Sequence, residues 1–227
     1  MTSGRVRFSA AGLFLALALL AAPAAWTAAP DLDSMLRDSP FSADEKEQIR
    51  SVFTQADRAR IPRDFLLPRL AEGTAKRARF PRLIEVLRTW EENLRSARSL
   101  LEAVPGAAGL LSDPASWQLA ATLLETGAAG QEVRALAAAA EGKAVPFRGG
   151  QMLYASLVGW GAPRPAALRV TLASMRSAIS PDQFPGVISV FEQGRQLRVS
   201  PDRIADRVVE SLPRVKTIDD LRQAVLY

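Results

Sequence analysis

The sequence predicts an all-α protein: an array of short helices with one longer helix, following an N-terminal signal peptide. Three observations predict this class. Helix-capping signals recur along the chain, and apolar residues between them follow a three/four spacing. The alternating pattern and hairpin turns typical of strands are lacking. The pattern fits either a helical repeat or an orthogonal bundle, and both arrangements bury helices that are marginal alone.

The first element is a secretory signal peptide over residues 1–24. Arg5 and Arg7 form a basic start, residues 10–22 are an uninterrupted run of thirteen apolar residues, and residues 22–24 fit a small-x-small cleavage rule. A retained anchor is the alternative, but a spanning helix needs about 20 apolar residues. We therefore expect an exported chain, periplasmic or secreted, with no transmembrane segment after cleavage.

The mature chain divides into an extended linker (25–41) and one helical domain (42–227). The longest periodic stretch is 82–102, which predicts the long helix. Side chains that cap helices precede several apolar stretches; these are Ser42, Asp113, Ser180, Ser200 and Thr217. The glycine-rich segment 104–112 is either a hinge or a close-packed crossing of helices.

Short segments of the chain resemble one another. Residues 57–65 (DRARIPRDF) and 76–84 (KRARFPRLI) share a basic residue, an apolar residue just before proline, and a later apolar residue. Residues 176–184 and 195–204 repeat the theme near the end of the chain. Two interpretations stay open: tandem duplication, or the frequent use of proline at the start of helices.

Composition excludes several kinds of chemistry. The chain has no cysteine and no histidine, which removes thiolate chemistry, disulfides, the commonest general base and the commonest metal ligand. Motifs for phosphate loops, dinucleotides, zinc and calcium are lacking. The sequence therefore predicts no catalytic residue, no cofactor and no metal site.

Arginine dominates the positive charge, with 25 arginines against 4 lysines. Four of them, Arg58, Arg60, Arg77 and Arg79, are candidate binding residues for an anionic lipid, a cell-wall polymer or an acidic protein. The alternative is an ordinary solvated face. Removing the signal peptide leaves a net charge of +3, which together with export argues against a nucleic-acid partner.

Six glutamates are candidates for a pair of carboxylates that could cleave glycans; they are Glu72, Glu91, Glu92, Glu125, Glu141 and Glu192. Glutamate recurs just before glycine near the ends of apolar stretches, which favours a structural role with glycine as a left-handed cap. Trp160 stands between two glycines, and we expect it to lie on a turn where it can anchor a partner.

These observations lead to one expectation and two alternatives. The expectation is a non-catalytic helical protein of the cell envelope that binds another envelope protein or serves as a scaffold. The first alternative is peripheral binding to an anionic surface through the arginine-rich segment 58–98. The second is a glycan-cleaving enzyme that depends on two carboxylates.

Overall fold

The computed structural model describes residues 31–227, so the predicted signal peptide lies outside the described residues. Within that range the chain is helical throughout and contains no strand, which confirms the all-α prediction. The helices are α1 (Leu32–Arg37), α2 (Ala43–Arg58), α3 (Leu67–Ala75), α4 (Phe80–Glu102), α5 (Ala108–Leu111), α6 (Pro114–Glu125), α7 (Gly130–Ala139), α8 (Ala144–Gly159), α9 (Arg164–Met175), α10 (Phe184–Gln196), α11 (Pro201–Ser211) and α12 (Ile218–Leu226), with 3-10 turns at Arg63–Phe65, Pro181–Gln183 and Leu212–Arg214.

Most predicted helix starts are confirmed by their caps. Ser42 and Glu45 form a capping box, in which the Ser42 N–H donates to Glu45 Oε2 at 2.8 Å. Asp113, Ser200 and Thr217 each accept a backbone N–H from the first turn of the helix that follows. Local hydrogen bonding therefore sets these boundaries.

Two boundaries differ from the prediction. The sequence predicts an extended segment over 25–41, but Leu32–Arg37 forms a helix because Asp31 caps it and Leu36 is completely buried in the core. Ser180 begins a single 3-10 turn, and α10 starts only after that turn. Both differences come from short elements, whose periodicity is too brief to read from sequence.

The long helix α4 is confirmed, at 23 residues or about 35 Å. Two tryptophans tie its buried side to its neighbours through indole N–H groups that donate to backbone carbonyls, one from α4 itself and one from α6. Trp90 Nε1 donates to the Phe65 carbonyl and Trp117 Nε1 to the Leu94 carbonyl, both at 2.8 Å. Both tryptophans are buried.

Helices α2 and α4 lie side by side and run parallel, and α6 packs against α4. At the start of α2, the Phe41 ring lies 5.9 Å from the Phe80 ring at the start of α4. At the other end, Arg98 Nη1 of α4 donates to the Ala59 carbonyl just after α2, at 2.8 Å. Helix α6 meets the later part of α4, where Trp117 in its first turn donates to the Leu94 carbonyl, and Gly130 at the start of α7 lies against Leu100.

A row of parallel helices begins with α6 and extends through α8, α10 and α12. Arg148 in the second turn of α8 pairs with the N-cap of α6. The start of α10 lies against Gly149 of α8, and Arg195 near its end donates to the Trp160 carbonyl that follows α8. Ile218, the first residue of α12, lies against Gly186 at the start of α10. Helices α7, α9 and α11 form a second row beside this one, with α7 against α9 and α9 against α11.

Five turns between helices share one backbone geometry. Their left-handed residues, with φ between 51° and 88°, are Arg60, Arg77, Gly127, Gly161 and Arg198. In each, the next N–H donates to a carbonyl five residues earlier, as Val199 N does to Gly194 O at 3.0 Å, which is the Schellman motif. Three of these turns lie in the similar segments 57–65, 76–84 and 195–204, whereas the segment 176–184 contains none of them.

The glycines expected at these left-handed positions are mostly elsewhere. Gly142 has a positive φ, but Gly73 and Gly194 lie inside α3 and α10. A Cβ at Gly73 would lie 2.4 Å from Leu83 Cδ1, and one at Gly194 would lie 2.7 Å from Ile204 Cδ1. These two glycines therefore permit the next helix to cross closely.

Segment 104–112 packs closely with the rest of the protein. Val104 and Leu110 are buried members of one continuous apolar core that runs from α1 to α12. A Cβ at Gly109 would lie 2.5 Å from the Gly142 carbonyl oxygen. A hinge motion here would have to break these contacts.

Candidate functional site: the open face of α8 and α10

The four candidate arginines do not form one patch. Arg58 and Arg60 lie at the end of α2, whereas Arg77 and Arg79 lie at the start of α4. Because Arg98 near the end of α4 bonds the Arg60 carbonyl, the two pairs are separated by about 28 Å along α4. An anionic surface would therefore meet two of these side chains at each end.

Two of these arginines have a backbone role that the sequence did not indicate. Arg60 and Arg77 adopt φ values of 55° and 51° and end their helices in the left-handed conformation. All four side chains are exposed, and none makes an ion pair with the rest of residues 31–227. Their positions are explained in part by the turns they form.

Four of the six candidate glutamates are held by cations. The ion pairs are Glu72–Lys76 at 2.6 Å, Glu91–Arg95 at 3.5 Å, Glu125–Arg69 at 2.9 Å and Glu141–Lys143 at 3.3 Å. The hydrogen bond from Lys76 lowers the pKa of Glu72. Glu92 is exposed beside Glu91 on α4, and Glu192 lies on α10. These four carboxylates therefore take part in ion pairs within the protein.

Three consecutive residues fix the orientation of α8. Arg148 Nε lies 3.7 Å from a carboxylate oxygen of the α6 N-cap, while Gly149 lies against α10 and Gly150 against α9. Because successive residues of a helix are about 100° apart, the strip that faces away from the second row follows directly. This strip consists of Val145, Met152, Ser156 and Gly159.

Helix α10 is fixed in the same way. Arg195 reaches toward α8, Gly186 lies against α12 and Gly194 lies against α11. The strip facing away from the second row consists of Pro185, Ser189, Glu192 and Gln196. We call these two strips of eight residues together the open face.

The open face is apolar or neutral except at one residue. Val145 is 59% exposed and Met152 is 50% exposed, seven residues apart on one side of α8. By contrast, the exposed side of α4 carries mostly charged residues, among them Glu85, Arg88 and Glu92. Low charge and an exposed methionine are typical of the centre of a protein interface.

A cleft of about 250 Å³ lies at the edge of the open face, lined by Trp160, Glu192, Arg195 and Gln196. Trp160 is half-buried at the turn after α8, and its carbonyl accepts a hydrogen bond from Arg195 Nη1. The Glu192 carboxylate makes no ion pair or hydrogen bond with any other residue of 31–227. The structure thus joins Trp160, which the sequence singled out, to Glu192 and the open face.

Sequence reasoning missed the apolar part of this surface. Val145 and Met152 are exposed although both types are usually buried, and only the spacing of seven residues marks them as one strip. Their exposure depends on which sides of α8 the helices α6, α9 and α10 cover. That information is not local to the sequence.

A buried polar cluster fastens the second row to the first near this site. Glu132 Oε2 accepts the Ala129 N–H at 2.7 Å and lies 3.6 Å from Arg164 Nη1, while Arg164 Nη2 donates to the Thr126 carbonyl at 3.1 Å. Burial, and then the Glu132 carboxyl beside it, raises the pKa of the Tyr154 hydroxyl to about 12. The cluster holds α7, α8 and α9 to the end of α6.

A second cleft, of about 300 Å³, lies between α11 and α12. Its two arginines already have partners. Arg207 Nη1 donates to the Val225 carbonyl at 2.8 Å, and Arg214 pairs with Glu210 at 3.3 Å. These contacts tie the last helix to the array.

No protein-family model, curated protein or solved structure matches the chain. Over residues 31–227, no helix combines the length and apolar character needed to cross a membrane. The same residues contain no group of three or more acidic side chains placed to hold a metal ion. The functional argument therefore rests on the open face and its cleft.

Proposed function

We propose that this chain is an exported, non-catalytic binding or scaffold module of the cell envelope, which holds another protein on its open face. The observation that carries the proposal is the exposed, neutral strip of α8 beside the Trp160 cleft. Hiding half of a valine or methionine side chain contributes roughly 1 kcal/mol each. Affinity would come from a few such contacts around one anchor.

The surroundings of the open face support this proposal because they hold it rigid. Helix α8 is packed between α6 and α10 and is covered behind by α7 and α9. A surface that is already ordered loses little conformational entropy when a partner binds. A rigid row of parallel helices is therefore suited to present a fixed surface.

The proposal is tested by site-specific photocrosslinking in the producing cell, with a photoreactive amino acid in place of Met152. We expect a crosslink to one other envelope protein. The matched control places the same amino acid at Gln131, an exposed residue of α7 in the second row. Equal crosslinking at both positions, or none at Met152 in the properly exported protein, would overturn the proposal.

Export itself needs a separate measurement. Cell fractionation should find the mature chain outside the cytoplasm, shortened by about the 24 residues of the predicted leader. A variant that lacks residues 1–24 should remain in the cytoplasm. An unprocessed, cytoplasmic full-length chain would contradict the envelope location but would leave the open face as a binding surface to be tested there.

A further inference from the structure

We infer that Arg195 is a positioning residue of the open face: its guanidinium, bonded to the Trp160 carbonyl, fixes the end of α8 against the end of α10. The contact thereby sets the spacing between the two strips that a partner would cover. The effect on binding rests on the proposed function, whereas the effect on the spacing can be measured in this chain alone.

The two helices of the open face are held together at their starts by apolar contact. A Cβ built on Gly149 would lie 3.0 Å from Pro181 Cβ and 3.2 Å from Phe184 Cδ2, so the start of α10 and the turn before it lie directly on α8. Contacts this close bury apolar surface without any help from charged groups. The spacing at the starts therefore does not depend on Arg195.

The ends of the same two helices meet through a polar contact. Helix α8 ends at Gly159, and the turn that follows it has Gly161 in the left-handed conformation, with a φ of 88°. The carbonyls at the end of a helix have no partner within it, and they form the negative end of its dipole. Arg195, in the last turn of α10, donates Nη1 to the carbonyl of Trp160, which caps α8.

Two other arginines make the same kind of contact elsewhere in the array. Arg98 donates to the Ala59 carbonyl after α2 at 2.8 Å, and Arg164 donates to the Thr126 carbonyl after α6 at 3.1 Å. A hydrogen bond from a charged donor is stronger than one between neutral groups. An arginine that reaches the carbonyl end of an earlier helix is thus a recurring tie between helices of this chain.

Arg195 differs from the other two arginines in its support. Arg98 also pairs with Glu102 at 2.7 Å, and Arg164 lies 3.6 Å from Glu132. Arg195 makes no ion pair with any residue of 31–227, so the direction of its guanidinium depends on the carbonyl contact. Loss of this one side chain should therefore release the ends of α8 and α10 from each other.

The chemistry of the contact favours arginine over lysine. The guanidinium presents five N–H donors in a rigid fork, whereas the lysine ammonium is a compact, strongly hydrated point charge. Lysine at position 195 would keep the positive charge but would hold the Trp160 carbonyl less firmly. The variants Arg195→Lys and Arg195→Ala should therefore differ in degree.

The test measures distances between pairs of spin labels on the two helices by pulsed electron paramagnetic resonance. The chain has no cysteine, so introduced cysteines can be labelled without removing others. One pair, at Ser156 and Gln196, reports on the ends of the helices. The other pair, at Val145 and Gln183, reports on their starts.

We expect Arg195→Ala to shift or broaden the distances of the end pair and to leave the start pair unchanged, with a smaller change in Arg195→Lys. The matched control is Arg203→Ala, which removes an exposed arginine of α11 that makes no ion pair in residues 31–227 and should change neither pair. In the crosslinking assay at Met152, Arg195→Ala should lose most of the crosslinked product and Arg203→Ala should retain it. Circular dichroism checks the fold of each variant, and Arg195→Lys decides if Arg195→Ala does not fold.

The outcomes separate the inference from the proposed function. An unchanged end pair would overturn the inference, and so would equal changes in both pairs, which indicate general loosening. A changed end pair with full crosslinking at Met152 would also overturn it, because the partner would then not depend on the spacing. If the exported protein without the Arg195 substitution gives no crosslink, the proposed function fails, and the distances alone decide whether Arg195 sets the spacing.

Discussion

Glu91 places a carboxyl group inside the apolar side of α4, with 4% of the residue exposed. Burial raises its pKa, while the charge of Arg95 on the next turn partly opposes that effect. A carboxyl whose pKa is raised on folding favours the folded state while it is protonated. The advantage is lost as pH rises through the folded-state pKa.

We predict that Glu91→Gln raises the melting temperature at pH 7 and has little effect at pH 4. The uncharged amide removes the cost of burying a carboxylate, which exists only above the pKa. Thermal unfolding followed by circular dichroism at both pH values measures this. The exposed neighbour Glu92→Gln is the control and should change the melting temperature much less. An equal stabilisation at both pH values would contradict the assignment.

Tyr154 affects the stability of the protein at the alkaline end of the pH range. Its pKa is raised to about 12, so the folded protein keeps the proton where the unfolded chain, with a pKa near 10, loses it. Stability should therefore fall between pH 10 and pH 12. We predict that Tyr154→Phe unfolds less readily than the wild type across this interval in urea titrations. Tyr227→Phe, which changes an exposed tyrosine, should leave the alkaline loss of stability unchanged.

The turns between helices show why some elements could be predicted and others could not. Caps such as Ser42 with Glu45 use residues three apart, so the sequence contains the whole interaction. The general preference of glycine for the left-handed conformation predicts glycine at the helix ends, but arginine occupies that position after α3 and α10. The real constraint on Gly194 is its contact with Ile204, which depends on how α11 crosses α10.

We predict opposite effects at two positions of the α10–α11 turn. Arg198→Gly should stabilise the protein by roughly 0.5–1 kcal/mol, because its φ of 60° suits glycine. Gly194→Ala should destabilise it, because the added methyl would meet Ile204 Cδ1 at 2.7 Å. Urea denaturation measures both. Destabilisation by Arg198→Gly would mean that its side chain contributes more than its backbone strain costs.

The candidate site was predictable only in part, for a related reason. Trp160 could be identified from the sequence, because the glycines on either side of it predict a turn. The separation of Arg58 from Arg77 could not be predicted from the sequence, because it depends on α2 and α4 being parallel. That arrangement involves a contact between Arg98 and Ala59, which are 39 residues apart. Non-local packing decides which exposed residues share a surface.

At the scale of the whole molecule, one core joins the first helix to the last. Helix α12 shares this core: Leu221 and Val225 are buried in it, while Asp219, Asp220 and Gln223 are exposed. Residues 31–227 should therefore unfold as a single cooperative unit.

We predict that deleting residues 216–227 lowers the melting temperature and exposes apolar surface. The deletion removes Ile218 and so exposes Gly186, against which it packs. It also exposes the sides of α10 and α11 that α12 covers. Calorimetry and binding of a dye specific for apolar surfaces measure the two effects. The substitution Asp220→Asn, at the exposed surface of α12, is the control. An unchanged melting temperature would show that α12 is dispensable for the fold.

The arginine contacts at the carbonyl ends of α2, α6 and α8 also impose an order in time. The end of α2 is bonded by Arg98, the end of α6 by Arg164, and the end of α8 by Arg195. In each case the guanidinium arrives later in the chain than the carbonyl it satisfies. As the polypeptide is synthesised from its amino terminus, each of these helix ends stays without its guanidinium until at least one further helix has been made. A pause in synthesis between the two would leave that part of the array without this contact.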